Sequence, residues 1–220
     1  MRKMVWRAVR ETGPGPGDLR ALRAFAVIVL DDQIASREIA FPSRRPTGML
    51  QEQMANPIRI LGLDPGLRRT GWGVVAIDGA RLIHVAHGVI APRDTLPFPQ
   101  RLLALFDGVT EIIARHAPDE AAVEETFMTA NGQSTLKLGH ARAAAMLAPA
   151  KAGLPVAEYA AKVVKKAVVG TGGADKQQVA FMIARLLPTA GSPTADAADA
   201  LAVAITHAHA RTARRLGAAA

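Results

Sequence analysis

The chain has 220 residues, a formal charge of +8 and no cysteine, with a mass of 23.2 kDa and a sequence pI near 10.6. That length holds one ordinary domain and some appended sequence, and 50% hydrophobic residues are enough to bury a sizeable core. The absence of cysteine excludes a disulfide framework, a thiolate metal site and a cysteine nucleophile, while the basic balance favours a polyanionic partner, nucleic acid before an anionic membrane surface.

From the N-terminus, residues 1–53 carry a Gly-Pro run, Gly13 to Gly17, an FPSRRPTG segment, Phe41 to Gly48, and one short apolar patch. Such a stretch does not easily close a core. The expectation is a disordered extension, or an upstream reading of a gene whose start is Met54; the alternative is a small accessory helix at Leu19 to Leu30. No apolar run reaches the ~18 residues of a membrane-spanning helix. AFAVIVL, Ala24 to Leu30, is short and is followed by Asp31 and Asp32 rather than by a small-residue cleavage site, so secretion is not expected and a cytoplasmic location is.

Patterned sequence begins at Ile58. IRILGLD, GWGVVAID and IHVAHGVIA, separated by DPGLRRTG and DGARL, read as three strands joined by tight turns, an antiparallel start. Phe98 to His116 carries apolar residues at helical spacing and stops at Ala117-Pro118. A short strand, Ala121 to Glu125, leads through the loop TFMTANGQ to a helix at Ser134 to Ala152, and a brief strand follows at Leu154 to Glu158. Helices at Ala160 to Val168, Asp175 to Leu187 and Ala195 to Ala210 complete the pattern. The elements imply an α/β fold, a mixed five-stranded sheet with three antiparallel strands and then parallel ones, flanked by helices. The patterned domain spans 54–210, with a basic flexible tail at 211–220.

Four carboxylates stand where burial does not explain them. Asp64 ends the first strand, Glu124 or its neighbour Glu125 ends the fourth, and Asp196 and Asp199 lie in TADAADALAVAITHAH. The last pair, spaced i, i+3, shares one helical face about 4.5 Å apart along the axis. Singly, each has an ordinary reading: Asp64 as an Asx-turn acceptor, Glu124 or Glu125 as a solvated strand end, Asp196 as a helix cap with Asp199 favoured in the first turn. Together, on apolar supports, they repel one another unless a cation sits between them. Hard oxygen ligands suit Mg²⁺ or Mn²⁺, and such ions on a basic protein point to phosphodiester hydrolysis. Phe127, in the loop after Glu124, reads as core or as an aromatic that stacks on bases. Lys162, Lys165, Lys166 and Lys176, beside the glycines of VVGTGG, read equally as a solvated face or as phosphate contacts. His207 and His209 are not read as ligands, because His207 lies about 12 Å along the helix from Asp199.

The runs ILGLDPGLRRTGWGV, AVEETFMTANGQSTLKLGHARAAA, PVAEYAAKVVKKAVVGTGGADKQQV and TADAADALAVAITHAH, in this order over roughly 150 residues, closely resemble the RuvC family of bacterial Holliday-junction resolvases. The resemblance implies a ribonuclease H-like domain that works as a homodimer, binds a four-way DNA junction and nicks two opposing strands symmetrically with Mg²⁺, in recombination and repair. It implies that Asp64, Glu124, Asp196 and Asp199 are the catalytic metal ligands, choosing Glu124 over Glu125. It further implies that Phe127 helps to distort the junction centre, that Lys165 and Lys176 contact DNA, and that RuvA and RuvB, the branch-migration proteins, are partners. The N-terminal 53 residues have no counterpart in the family pattern.

Two other classes compete. DPGLRRTG also resembles the phosphate loop of actin-like ATPases and sugar kinases, which need a second copy of the fold to close over nucleotide; the patterned chain is too short for that. A DNA-binding relative without catalysis would have lost at least one carboxylate, and all four are present.

Overall fold

A computed structural model describes residues 56–125 and 131–217, with side chains to residue 214. Residues 1–53, Met54 and Phe127 lie outside the described residues. Five strands form one mixed sheet in the order β3-β2-β1-β4-β5: β1 (Ile58–Asp64), β2 (Thr70–Asp78), β3 (Arg81–Ile90), β4 (Glu120–Glu124) and β5 (Val156–Tyr159). The first three are antiparallel neighbours, and β4 and β5 run parallel to β1. This is the mixed α/β sheet expected from the sequence.

Helices cover both faces. On one side α1 (Phe98–His116) and α2 (Gly132–Lys151) pack against Leu61, Leu63, Val74, Ala121 and Val123. On the other, α3 (Ala161–Val169), α4 (Lys176–Leu186) and α5 (Ala195–Gly217) pack against Ile60, Val75, Ile77 and Ala122. Successive strand residues point to opposite faces, so Ile60, Gly62 and Asp64 of β1 share the α5 face. So do Glu120, Ala122 and Glu124 of β4, and Gly71, Gly73, Val75 and Ile77 of β2. The parallel pairing Leu63↔Val123 then sets the ends of β1 and β4 side by side, with Asp64 and Glu124 turned to the same helix.

That helix lies unusually near the sheet. Its first turns are thin and buried: Ala197, Ala198, Ala200, Leu201, Ala202, Val203, Ala204 and Ile205 are all at most 3% exposed. The strands beneath it are indented by glycine. A Cβ on Gly62 would stand 2.2 Å from the Ala200 carbonyl oxygen, one on Gly71 1.9 Å from that of Asp196, and one on Gly73 2.6 Å from Leu201 Cδ2. Helix backbone therefore rests on strand backbone, and only glycine permits it. The loop between β1 and β2 is closed by the fully buried Thr70, whose hydroxyl donates to the Gly66 carbonyl at 2.8 Å and accepts from the Gly66 N–H at 3.2 Å.

Two boundaries need correction. The segment expected as a flexible tail from residue 211 continues α5 to Gly217; its Ala and Arg residues are strong helix formers, and Arg211 is tied to Glu120 at 2.8 Å. The last strand begins at Val156 rather than Leu154, beyond Pro155, and reaches Tyr159. Among the described residues no helix is long and apolar enough to cross a membrane.

Because the Cβ of alanine at position 71 would overlap the main chain of Asp196, Gly71→Ala is expected to destabilise the fold by about 1–3 kcal/mol, the usual cost of overpacking. A urea-unfolding midpoint measures this. An unchanged midpoint would mean that the start of α5 does not bear on β2.

Candidate active site

Asp64 is the last residue of the central strand, Glu124 the last of its parallel neighbour, and Asp196 and Asp199 occupy the first turns of α5. The structure brings Asp64 into electrostatic reach of Asp199 and Asp196, and Glu124 into reach of Asp64 and Asp199. Asp64 has its carboxyl pushed up to about 6, first by burial and then by the charges of Asp199 and Asp196, with Lys176 opposing. Glu124 is pushed up to about 7, again first by burial and then by Asp64 and Asp199, against Lys165 and Lys176. Burial also raises Asp199, with Lys176 pulling the other way. Glu124, not Glu125, shares the face of Asp64; Glu125 is exposed beyond the strand end.

Two cations already lean on this cluster. The Arg69 guanidinium donates to Asp196 at 2.5 Å, and the Lys176 ammonium stands 3.7 Å from Asp199 with four-fifths of its side chain in solvent, a loose pair of small energetic weight. Among the described residues, no three acidic or imidazole side chains stand close enough to clasp one ion as they are placed. The donor set nevertheless suits a hard divalent cation. It offers only oxygen, it comes from strand ends and a helix, and burial and mutual repulsion raise three of its members, so a positive charge held among them would be favoured.

Lys165, half-buried on α3, and Lys176, exposed at the start of α4, both act on the acidic cluster. Lys162 and Lys166 are exposed on α3. His207 is removed from the site. It is 4% exposed, with Nδ1 2.9 Å from the Tyr159 hydroxyl and Nε2 2.7 Å from Glu120. Asp175, the one acid among these lysines, closes a capping box on α4 with Gln178, and Asn131 caps α2 through the N–H groups of Gln133 and Ser134.

Sequence reasoning missed Arg69 and the Glu120–His207–Arg211 cluster. For Arg69 a signal existed, since it sits five residues after Asp64 in a loop that must fold back on the strand end. For Glu120 and His207, 87 residues apart, nothing local announces the pairing.

A sheet of this order, with acidic residues at the adjoining ends of its two central parallel strands and on the helix laid across them, defines the class of ribonuclease H-like resolvases. The yeast mitochondrial Holliday junction resolvase Ydc2 shares this fold, at TM-score 0.51 and 14% identity, over 68% of this chain and 77% of its own. The family model described as crossover junction endodeoxyribonuclease RuvC matches residues 60–207. Crossover junction endodeoxyribonuclease RuvC of Caulobacter vibrioides is 70% identical over 159 residues, covering 72% of this chain and 94% of its own length; that of Maricaulis maris is 64% identical over 167 residues, covering 76% and 100%. A structure of T. thermophilus RuvC in complex with Holliday junction substrate aligns at TM-score 0.66 and 35% identity, over 71% of this chain and 96% of that one. The chain belongs to the RuvC family of crossover junction endodeoxyribonucleases.

The raised carboxyls fix the sign of a pH effect. Between about pH 4 and about pH 6 the folded chain keeps on Asp64 a proton that the unfolded chain has released, so this residue makes stability fall as pH rises through that window. Asp64→Asn removes the effect. In metal-free buffer the variant is expected to be more stable than the wild type by about 2–3 kcal/mol at pH 8, with the difference gone near pH 4. Chemical denaturation at the two pH values measures it, and equal midpoints at pH 8 would mean that Asp64 is not electrostatically stressed.

Proposed function

We propose that this chain is a Mg²⁺-dependent endonuclease that resolves four-way DNA junctions by paired symmetric nicks, in recombination and repair, with Asp64, Glu124, Asp196 and Asp199 as catalytic metal ligands. The observation that carries the reading is the meeting of these four carboxylates, drawn from β1, β4 and α5, at one strand-end surface flanked by lysines. Mg²⁺, or Mn²⁺ in its place, would supply the positive charge that activates water and steadies the leaving oxygen in phosphodiester hydrolysis.

The chain's own residues do the rest. Strand ends and a buried helix hold the carboxylates in place, since a ligand that wanders by an ångström loses its effect. The RuvC family is one of metal-dependent nucleases, and the all-oxygen donor set favours Mg²⁺ among candidate ions. Lys165 and Lys176 are suited to draw a DNA backbone toward the acidic cluster and offset its repulsion of phosphate. Phe127 follows Glu124 by three residues, which suits a role against the bases at the junction centre.

Two opposed nicks call for two active sites, hence a homodimer. Support comes from α2, which exposes Leu136 and Leu147, eleven residues and about three turns apart on one stripe, with Leu103 of α1 also exposed. Exposed leucines along one helical stripe offer a second copy of the chain apolar surface to cover. Coupling to RuvA and RuvB and a cytoplasmic location belong to the same reading, as does a nuclease domain over residues 54–210 that α5 extends.

Asp64→Asn is expected to bind a synthetic four-way junction with unchanged affinity and to leave it uncut, while the wild type with Mg²⁺ converts it to symmetric nicked duplexes. Gel-resolved cleavage alongside a binding titration separates the outcomes. Full activity in the variant would overturn the site, and equal cutting of linear duplex by the wild type would overturn junction selectivity.

A further inference from the structure

At the end of the sheet away from the acidic cluster, α5 is tied to the strands by a second polar group, part-buried around the buried His207. His207 Nε2 bonds Glu120 at 2.7 Å, the Arg211 Nε–H donates to the other Glu120 oxygen at 2.8 Å, and the Tyr159 hydroxyl stands 2.9 Å from His207 Nδ1. A carboxylate only accepts, so Nε2 carries the hydrogen. Burial works to raise Glu120, but the bonds from Arg211 and His207 outweigh it and hold the carboxyl below its ordinary range. The group is charged, has a donor on each Glu120 oxygen and is directional.

Its placement relates it to the active site. Glu120 and Glu124 are the two ends of β4, four residues or about 13 Å apart. His207 and Asp199 are eight residues apart on α5, about 12 Å. The helix runs against the direction of the strand, so the two elements form rails of nearly equal length, joined at one end by Glu120–His207 and facing one another at the other through Glu124 and Asp199. Between the ends the contact is Ala, Val, Ile and Leu, which attracts without direction. Among the described residues, the side-chain hydrogen bonds from α5 to the strands all come from His207 and Arg211.

We propose that Glu120, His207 and Arg211 are positioning residues that set the sliding register of α5 on β4, and thereby the spacing of Asp196 and Asp199 from Glu124 and Asp64. The inference rests on the reading of those four as cation ligands. A slide of one helical residue moves an aspartate by about 1.5 Å, enough to spoil a site whose ligands approach from two elements.

The test is Glu120→Ala, with Glu120→Gln, which keeps an acceptor for His207, as the rescuing variant and Arg211→Ala as a milder one. Three quantities are read: Mn²⁺ affinity by calorimetric titration without DNA, four-way-junction affinity, and kcat for junction cleavage. Glu120→Ala is expected to weaken Mn²⁺ binding several-fold and to lower kcat by about tenfold or more, as ångström-scale misplacement does, with junction affinity unchanged. Glu120→Gln, which keeps the bond to His207 but turns its NH2 toward the Arg211 donor, should recover part of both losses, and Arg211→Ala should weaken Mn²⁺ binding to a smaller extent. A folded Glu120→Ala protein with a lowered unfolding midpoint but wild-type Mn²⁺ affinity and kcat would overturn the proposal, leaving the cluster a purely structural one. Should that variant not fold, Arg211→Ala decides by the same readings, wild-type values overturning the proposal. A wild type that binds Mn²⁺ yet cuts no junction would defeat the nuclease reading alone, because the titration still reports on the register.

Discussion

The structure depends on how closely α5 lies on β1 and β2. A helix packed on a sheet through ordinary side chains keeps its own backbone out of reach of strand backbone. Here Gly62, Gly71 and Gly73 remove the side chains that would hold it away, and alanines thin the helix from above. The consequence is chemical. Aspartate is a short side chain, and Asp196 and Asp199 come within reach of Asp64 and Glu124 only because the helix that carries them has been let down onto the strands. Longer side chains at the three glycines would leave the fold recognisable and the carboxylates apart.

Such proximity is opposed by electrostatics. Four acids gathered at a partly buried surface lose water and gain repulsion, and Asp64 and Glu124 respond by holding protons to about pH 6 and about pH 7. The apolar core on both faces of the sheet tolerates this, since burial of each large aliphatic side chain contributes about 1.5–3 kcal/mol. Arg69 and Lys176 offset part of the repulsion, though neither is buried. A site stressed in this way has more to gain from a divalent cation than a relaxed one, because a bound cation relieves the repulsion besides forming new bonds.

Much of this was legible in the sequence, and the reason is parity. Strand residues alternate between faces, so a charge that ends an apolar run, as Asp64 ends ILGLD, is aimed where Ile60, four positions earlier, is aimed. The same parity, applied to Ala122 within AAVEETF, separates Glu124 from Glu125 once one knows which face α5 covers, and that knowledge is tertiary. The spacing of Asp196 and Asp199 announced a shared helical face without saying what it faced. Resemblance supplied the choice before the fold did. What stayed illegible was of a different kind: the clamp of Glu120 on His207 and Arg211 joins positions 87 and 91 apart, and the glycines of β1 and β2 look in sequence like weak points in strands. The extension of α5 beyond Ala210 was missed because a basic Ala-Arg segment at a chain end resembles a solvated tail until a partner such as Glu120 is found for it.

The glycine contact and the Glu120 clamp constrain α5 along different directions, and neither replaces the other. Backbone resting on backbone fixes the height of the helix above the sheet, whereas its apolar contacts, Leu201 and Ile205 among the alanines, supply no directional bond along the helix axis. A hydrogen-bonded carboxylate fixes position along the axis but, at the far end of the helix, has poor control over height at the near one. Four carboxylates drawn from two strands and one helix need both to hold. This also explains why the clamp sits at the opposite end of the sheet: a further charged carboxylate beside Asp64 would add to the repulsion there, whereas about 13 Å away along β4 it orders the helix without loading the site.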